Sequence, residues 1–168
     1  MRIPLLIAIV VLMGVSGCAG REELVAKSAA VPVGVDLSGL WRLSQRSRQA
    51  PRSRSSAGTS VRMFLEAGEV LKVTQTEHGL FISFDRAVVE EYRFGEKREI
   101  SIGPVIADRV SGWEGDIYVI ETLDAAGAKL IETYRLSDDG RELRRTISIV
   151  YNEKEQMAIE QNFDRSLP

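Results

Sequence analysis

Two acids, Glu121 and Glu132, each follow the apolar register of a β-type run. A buried pair of carboxylates at such positions can divide the work of a general acid and a general base. Arg145 also falls at an inward-register position, so a buried Glu–Arg network is the stronger expectation for these residues. His78 is the only histidine. A catalytic histidine needs a nucleophile within hydrogen-bond reach and an orienting carboxylate; only Glu77 stands near it in sequence, and a solvated turn is the expected role. Asp138-Asp139-Gly140 lacks the alternating acids of a calcium loop and reads as hairpin chemistry. With one histidine and one cysteine, a zinc site has too few ligands. The chain is therefore read as a non-enzyme with no catalytic residue, metal or cofactor. Two further groups carry chemistry of another kind. Cys18, the single cysteine, closes an apolar N-terminal run. Arg46, Arg48, Arg52 and Arg54 interleave with serines in a stretch that holds no acid from Leu37 to Leu65. Guanidinium groups suit bidentate contact with phosphate, so this segment is either a solvated loop or an anionic contact with lipid phosphates.

The elements around these residues divide the chain in three. Residues 1–17 carry one charge, Arg2, before an apolar core that is too short to span a bilayer, which is the pattern of a signal peptide. Residues 18–36 mix small, charged and breaker residues without a period and read as a flexible tether. A single β-domain is expected over 37–165, with a basic Ser/Arg loop at 44–60. Its apolar residues alternate: Leu71 and Val73; Leu80, Ile82 and Phe84; Ile117 and Val119 against Tyr118 and Ile120; Leu143, Ile147 and Ile149; Met157, Ile159 and Phe163. Such alternation sets one face against a core. Glu77-His78-Gly79, Gly95-Glu96-Lys97, Ala126-Gly127 and Asp138-Asp139-Gly140 punctuate the runs as hairpin turns. The expected fold is all-β, an antiparallel meander closing into a small barrel or cup of about eight strands. Residues 61–67 fit a short helix or an extended segment equally well. Trp41, Trp113 and Tyr134 are the candidate ligand or barrel-plug residues, since bulky inward side chains either fill such a barrel or line a pocket in it. The totals of 22 basic and 24 acidic side chains, less Arg2 on removal of 1–17, argue against nucleic acid as a partner.

Three resemblances bear on this. Val15-Ser16-Gly17-Cys18 resembles the lipobox of bacterial lipoproteins, which implies cleavage before Cys18 and its acylation, with palmitate among the chains. Several chains are needed, because one gives only marginal membrane binding. Ala19 after the cysteine implies the outer membrane, with the domain facing the periplasm. Gly39-x-Trp41 is similar to the opening of lipocalin-type barrels, in which the Trp plugs one end. Asp36 to Leu43, Gly112-Trp113-Glu114-Gly115-Asp116 and Glu132 to Gly140 resemble a family of proteobacterial secreted proteins, a likeness that implies the fold and transfers no activity. The expected function is a non-catalytic envelope interaction module anchored to the outer membrane and meeting an envelope protein or lipid phosphates; the alternative is a lipocalin-like carrier of a small apolar ligand.

Overall fold

A computed structural model describes residues 23–44, 68–102 and 104–166. Ten strands form one antiparallel sheet: β1 (Gly39–Leu43), β2 (Val70–Gln75), β3 (Gly79–Phe84), β4 (Val88–Arg93), β5 (Glu96–Ile102), β6 (Val105–Glu114), β7 (Ile117–Asp124), β8 (Ala128–Leu136), β9 (Glu142–Tyr151) and β10 (Lys154–Arg165). The sheet order is β4-β3-β2-β1-β10-β9-β8-β7-β6-β5, a meander whose two ends are joined by the pairing of β1 with β10. The barrel class expected from the alternation is present, with ten strands where about eight were expected. The strands missing from that count lie between 88 and 114. There, charged residues stand at inward positions and interrupt the apolar row.

Four of the turns fall at the expected glycines and acids, 77–79, 95–97, 126–127 and 138–140. The turns divide the barrel into two ends. The β3–β4, β5–β6, β7–β8 and β9–β10 turns lie at one end, here the rim. The β2–β3, β6–β7 and β8–β9 turns lie at the other. Strands β4 and β5 face each other without backbone pairing. Side chains stitch this seam instead: Ser111 Oγ donates to the Arg93 carbonyl at 2.8 Å, Arg98 donates to the Glu91 carbonyl, and Arg109 reaches Glu90 at 3.2 Å.

The segment expected as a free tether over 18–36 is bound to the barrel from its first described residues. Leu24 packs with Val110 and Leu123 on the outer face of β6 and β7. Burying one leucine contributes on the order of 2 kcal/mol. Lys27 is nearly buried between Glu114 and Glu121, and Ser28 exchanges two backbone hydrogen bonds with Trp113. From there the strap passes under the far end of the barrel, where Val31, Val35 and Leu37 join the main core. This cover also explains why β7 is apolar on both faces. Period-two reasoning missed the strap because its contacts are made one residue at a time.

A close approach at Gly112 makes the strap possible. A Cβ there would stand 2.5 Å from the Ser28 carbonyl oxygen and 2.8 Å from the Lys27 Cβ. Gly112→Ala should therefore unseat residues 23–30 while the barrel stays folded. Hydrogen exchange will show fast strap amides, and the unfolding midpoint will report a loss of no more than about 2 kcal/mol. Retention of strap protection would refute this account of the glycine.

Candidate functional site

The interior is layered along the wall made by β8, β9 and β10. Tyr134, Leu136, Leu143 and Phe163 belong to a core that also takes Trp41, Leu71, Leu80, Ile82 and Phe84. The next level pairs Tyr134 with Arg145 and Arg145 with Gln161, with Glu132 one step further along β8. Towards the rim follows an aliphatic cluster of Ile147 and Met157 with Leu130, Ile149 and Ile159 packed on it. A polar row thus separates two apolar regions inside one barrel.

Glu132 Oε2 is the centre of that row. It accepts from Arg145 Nη2 at 2.6 Å, from Arg145 Nε at 3.2 Å and from Tyr134 Oη at 3.2 Å. Arg145 Nη1 donates to Gln161 Oε1 at 3.1 Å, and the guanidinium lies 5.0 Å from the Phe84 ring centroid. Arg145 has no exposed surface. Burial alone would lower its pKa, but the Tyr134 and Glu132 oxygens outweigh this and raise it. Burial raises the Tyr134 hydroxyl pKa, Arg145 opposes that rise, and Glu132 adds to it. With its donors engaged within the chain, Arg145 is held as half of a structural pair.

Arg109 is differently placed. It is buried on β6, donates to Thr122 Oγ1 and to Glu90 Oε2, both at 3.2 Å, and lies 5.2 Å from the centroid of the Tyr92 ring. Glu90 is partly exposed at the seam. Beside Arg109, the buried Tyr92 Oη makes no hydrogen bond among the described residues; Trp113 Nε1 and Glu96 Oε2, further along β6 and on β5, are likewise without one. Burial raises the Tyr92 pKa well above the usual phenol value, and burial likewise raises that of Tyr118. Trp113, Tyr118 and Phe94 form an edge-on aromatic trio with centroids 5.3–5.7 Å apart.

The structure places Trp41 and Tyr134 in the main core together with Trp113. Trp41 donates from Nε1 to the Leu37 carbonyl at 3.0 Å, and Arg165 lies over its ring at 4.3 Å. Cys18, Arg46, Arg48, Arg52 and Arg54 lie outside the described residues, as do residues 61–67. Glu132 and Arg145 form the buried pair expected of them. Glu121 does not join it, because it faces outward and pairs with Lys27. Tyr151 is exposed at the rim. His78 is exposed in its turn, 3.0 Å from Glu77. Among the described residues no group of three His, Cys, Asp or Glu side chains is placed to hold a metal. Arg109 and Tyr92 were missed by sequence reasoning. The signal for Arg109 was the row Ala107-x-Arg109-x-Ser111-x-Trp113, which continues the register of a buried tryptophan.

No family model and no curated protein matches this chain. Solved structures do. Lipid binding protein 8 of Caenorhabditis elegans superposes with a TM-score of 0.54 at 11% identity, covering 77% of this chain and 94% of its own. Secretory abundant heat soluble protein 4 of Ramazzottius varieornatus gives 0.51 at 14% identity, with the same coverages of 77% and 94%. Fatty-acid-binding protein 1 of Echinococcus granulosus gives 0.50 at 12% identity, covering 78% and 98%. At these identities the likeness is one of fold alone: this chain shares the barrel architecture of these proteins.

Proposed function

We propose that this chain is a non-catalytic carrier whose barrel holds a small ligand with an apolar body and a polar end, and that acyl chains on Cys18 hold it at the outer membrane, facing the periplasm. One observation carries the ligand reading. Tyr92 Oη is a buried donor without a partner among the described residues, on a ring that lies against the buried cation Arg109. An unsatisfied buried donor costs about 1–3 kcal/mol, and a ligand oxygen at this wall removes that penalty. Arg109, whose acid partner Glu90 is partly exposed, is the cation placed to meet it, whereas Arg145 is bound to Glu132 and Gln161. The aliphatic cluster of Leu130, Ile147, Ile149, Met157 and Ile159 suits the apolar body. Two of the fold neighbours are named for binding lipid or fatty acid, which agrees with this choice of ligand class.

The test is native mass spectrometry of the protein extracted from bacterial envelopes, followed by displacement of a fluorescent long-chain carboxylic acid. A co-purifying amphiphile and saturable probe binding are expected. Tyr92→Phe and Arg109→Met should each weaken the probe about tenfold, the equivalent of one lost polar contact. A second reading, an interaction module with a filled barrel, is favoured by the complete burial of Trp41, Arg145 and Phe163. A bare wild-type protein that ignores the probe would establish that reading and sink the carrier.

A further inference from the structure

We infer that the Cys18 anchor seats the barrel rim-down on the bilayer that holds its acyl chains. The inference rests on the acylation proposed above. Two independent observations carry it, the strap and the rim.

The strap fixes how far the barrel can stand from its anchor. Glu23 is paired with Lys97 at 3.0 Å and Leu24 is buried against Val110 and Leu123. Five residues lie between Cys18 and Leu24, and the six steps from one to the other reach at most about 20 Å. Going back along the strap from Ser28 to Leu24, its contacts move from Trp113 to Val110 and Leu123, which is toward the rim. From Val110 to the start of β6 at Val105 is five residues, about 17 Å of strand. The anchor therefore reaches the rim with little slack and leaves the barrel no freedom to float above the surface.

The two ends differ in what they offer a bilayer. The rim exposes Val88, Val89, Val105, Ile106 and Tyr151 at the starts of β4 and β6 and the end of β9. Apolar side chains clustered at an edge mark a contact surface, and tyrosine favours the interfacial region of a membrane. At the opposite end the exposed turns carry Glu77, Glu114, Asp116, Asp138 and Asp139, with Val33 the one large apolar residue exposed among the described residues there. Glu114 and Asp116 are paired there with Lys27 and Arg135, so that end offers a bilayer charged groups and almost no apolar surface. A barrel held this close turns the rim to the lipid.

The experiment uses the lipoprotein extracted from cells and reconstituted in vesicles of phosphatidylethanolamine and phosphatidylglycerol. It is compared with a variant carrying a flexible Gly/Ser insertion of about twenty residues between Gly20 and Arg21. Mass spectrometry reads acylation, and hydrogen exchange reads the turns. Acylated wild type should show several-fold slower exchange than the insertion variant at 85–89 and 104–106, with 76–78 and 138–140 equal in both. Val89→Ser with Ile106→Ser should lose that difference while keeping the acyl mass. Equal rim exchange in wild type and insertion variant, or slowed exchange at the acidic end, overturns the seating and leaves the anchor standing. A chain without acyl mass overturns the anchor and the seating together.

Discussion

Glu132→Leu is expected to lower folding stability by about 3–5 kcal/mol, the range seen when one partner of a buried ion pair is removed. The cause is what stays behind. Arg145 has no exposed surface, and two of its donors rest on the single oxygen Glu132 Oε2 at 2.6 and 3.2 Å. Gln161 satisfies one further donor but supplies no charge. The Tyr134 hydroxyl loses its acceptor at the same time. Urea denaturation should report the loss as a lower midpoint at unchanged slope. The double variant Glu132→Leu with Arg145→Met should return most of the stability, because a buried pair exchanged for apolar residues of similar volume is close to neutral. A single-variant loss below about 1 kcal/mol would mean that water reaches the guanidinium and that the pair is not a dry one.

Alkaline pH should unfold the barrel steeply. Three of the four tyrosines, Tyr92, Tyr118 and Tyr134, are buried, and burial raises the pKa of each. In the unfolded chain a tyrosine ionises near pH 10. A folded-state pKa raised above that value gives stability that is fully present below about pH 10 and is lost as pH rises toward the folded value. Each shifted group contributes a slope of about 1.4 kcal/mol per pH unit in that window. Three together give about 4 kcal/mol per unit, against a typical domain stability of about 5–15 kcal/mol. Cooperative loss of β-sheet circular dichroism is expected within roughly two units above pH 10, coincident with the rise of tyrosinate absorbance. Tyr134→Phe should make the transition shallower. Smooth tyrosine ionisation near pH 10 in a protein that stays folded would contradict the sealed interior.

What the sequence made legible follows from how each contact is encoded. Leu80, Ile82 and Phe84 declare their strand because three apolar side chains share a face with period two, and the pairing of Glu132 with Arg145 was readable because both acid and base kept an apolar register. Strands β4 to β6 hid for the opposite reason. Glu90, Arg98 and Arg109 stand where an apolar row was sought, and Val89 and Ile106 show apolar side chains on the outside. The candidate ligand wall hid with them, since Tyr92 and Arg109 meet only across a seam that no backbone pairing announces. The strap depends on an absent side chain at Gly112 and on a lysine reaching acids far along the chain, and neither leaves a periodic trace.

The sheet order has a consequence for how the chain acquires its shape. Strands β1 to β4 form one ribbon and β5 to β9 another, and the two are joined along a backbone ladder only where β10 lies between β1 and β9. Ser44 bonds Asn162 and Ser166 bonds Leu40 at that joint. The strand that joins the ribbons is the last of the ten to leave the ribosome. Until it arrives, the first ribbon has Trp41 and Leu71 prepared for a core that is not yet there, and it presents β1 as an open edge. Chains truncated before residue 154 should therefore lack the tertiary fold of the first half as well as the second, so that the arrival of β10, rather than the formation of each hairpin, times the closure of the barrel.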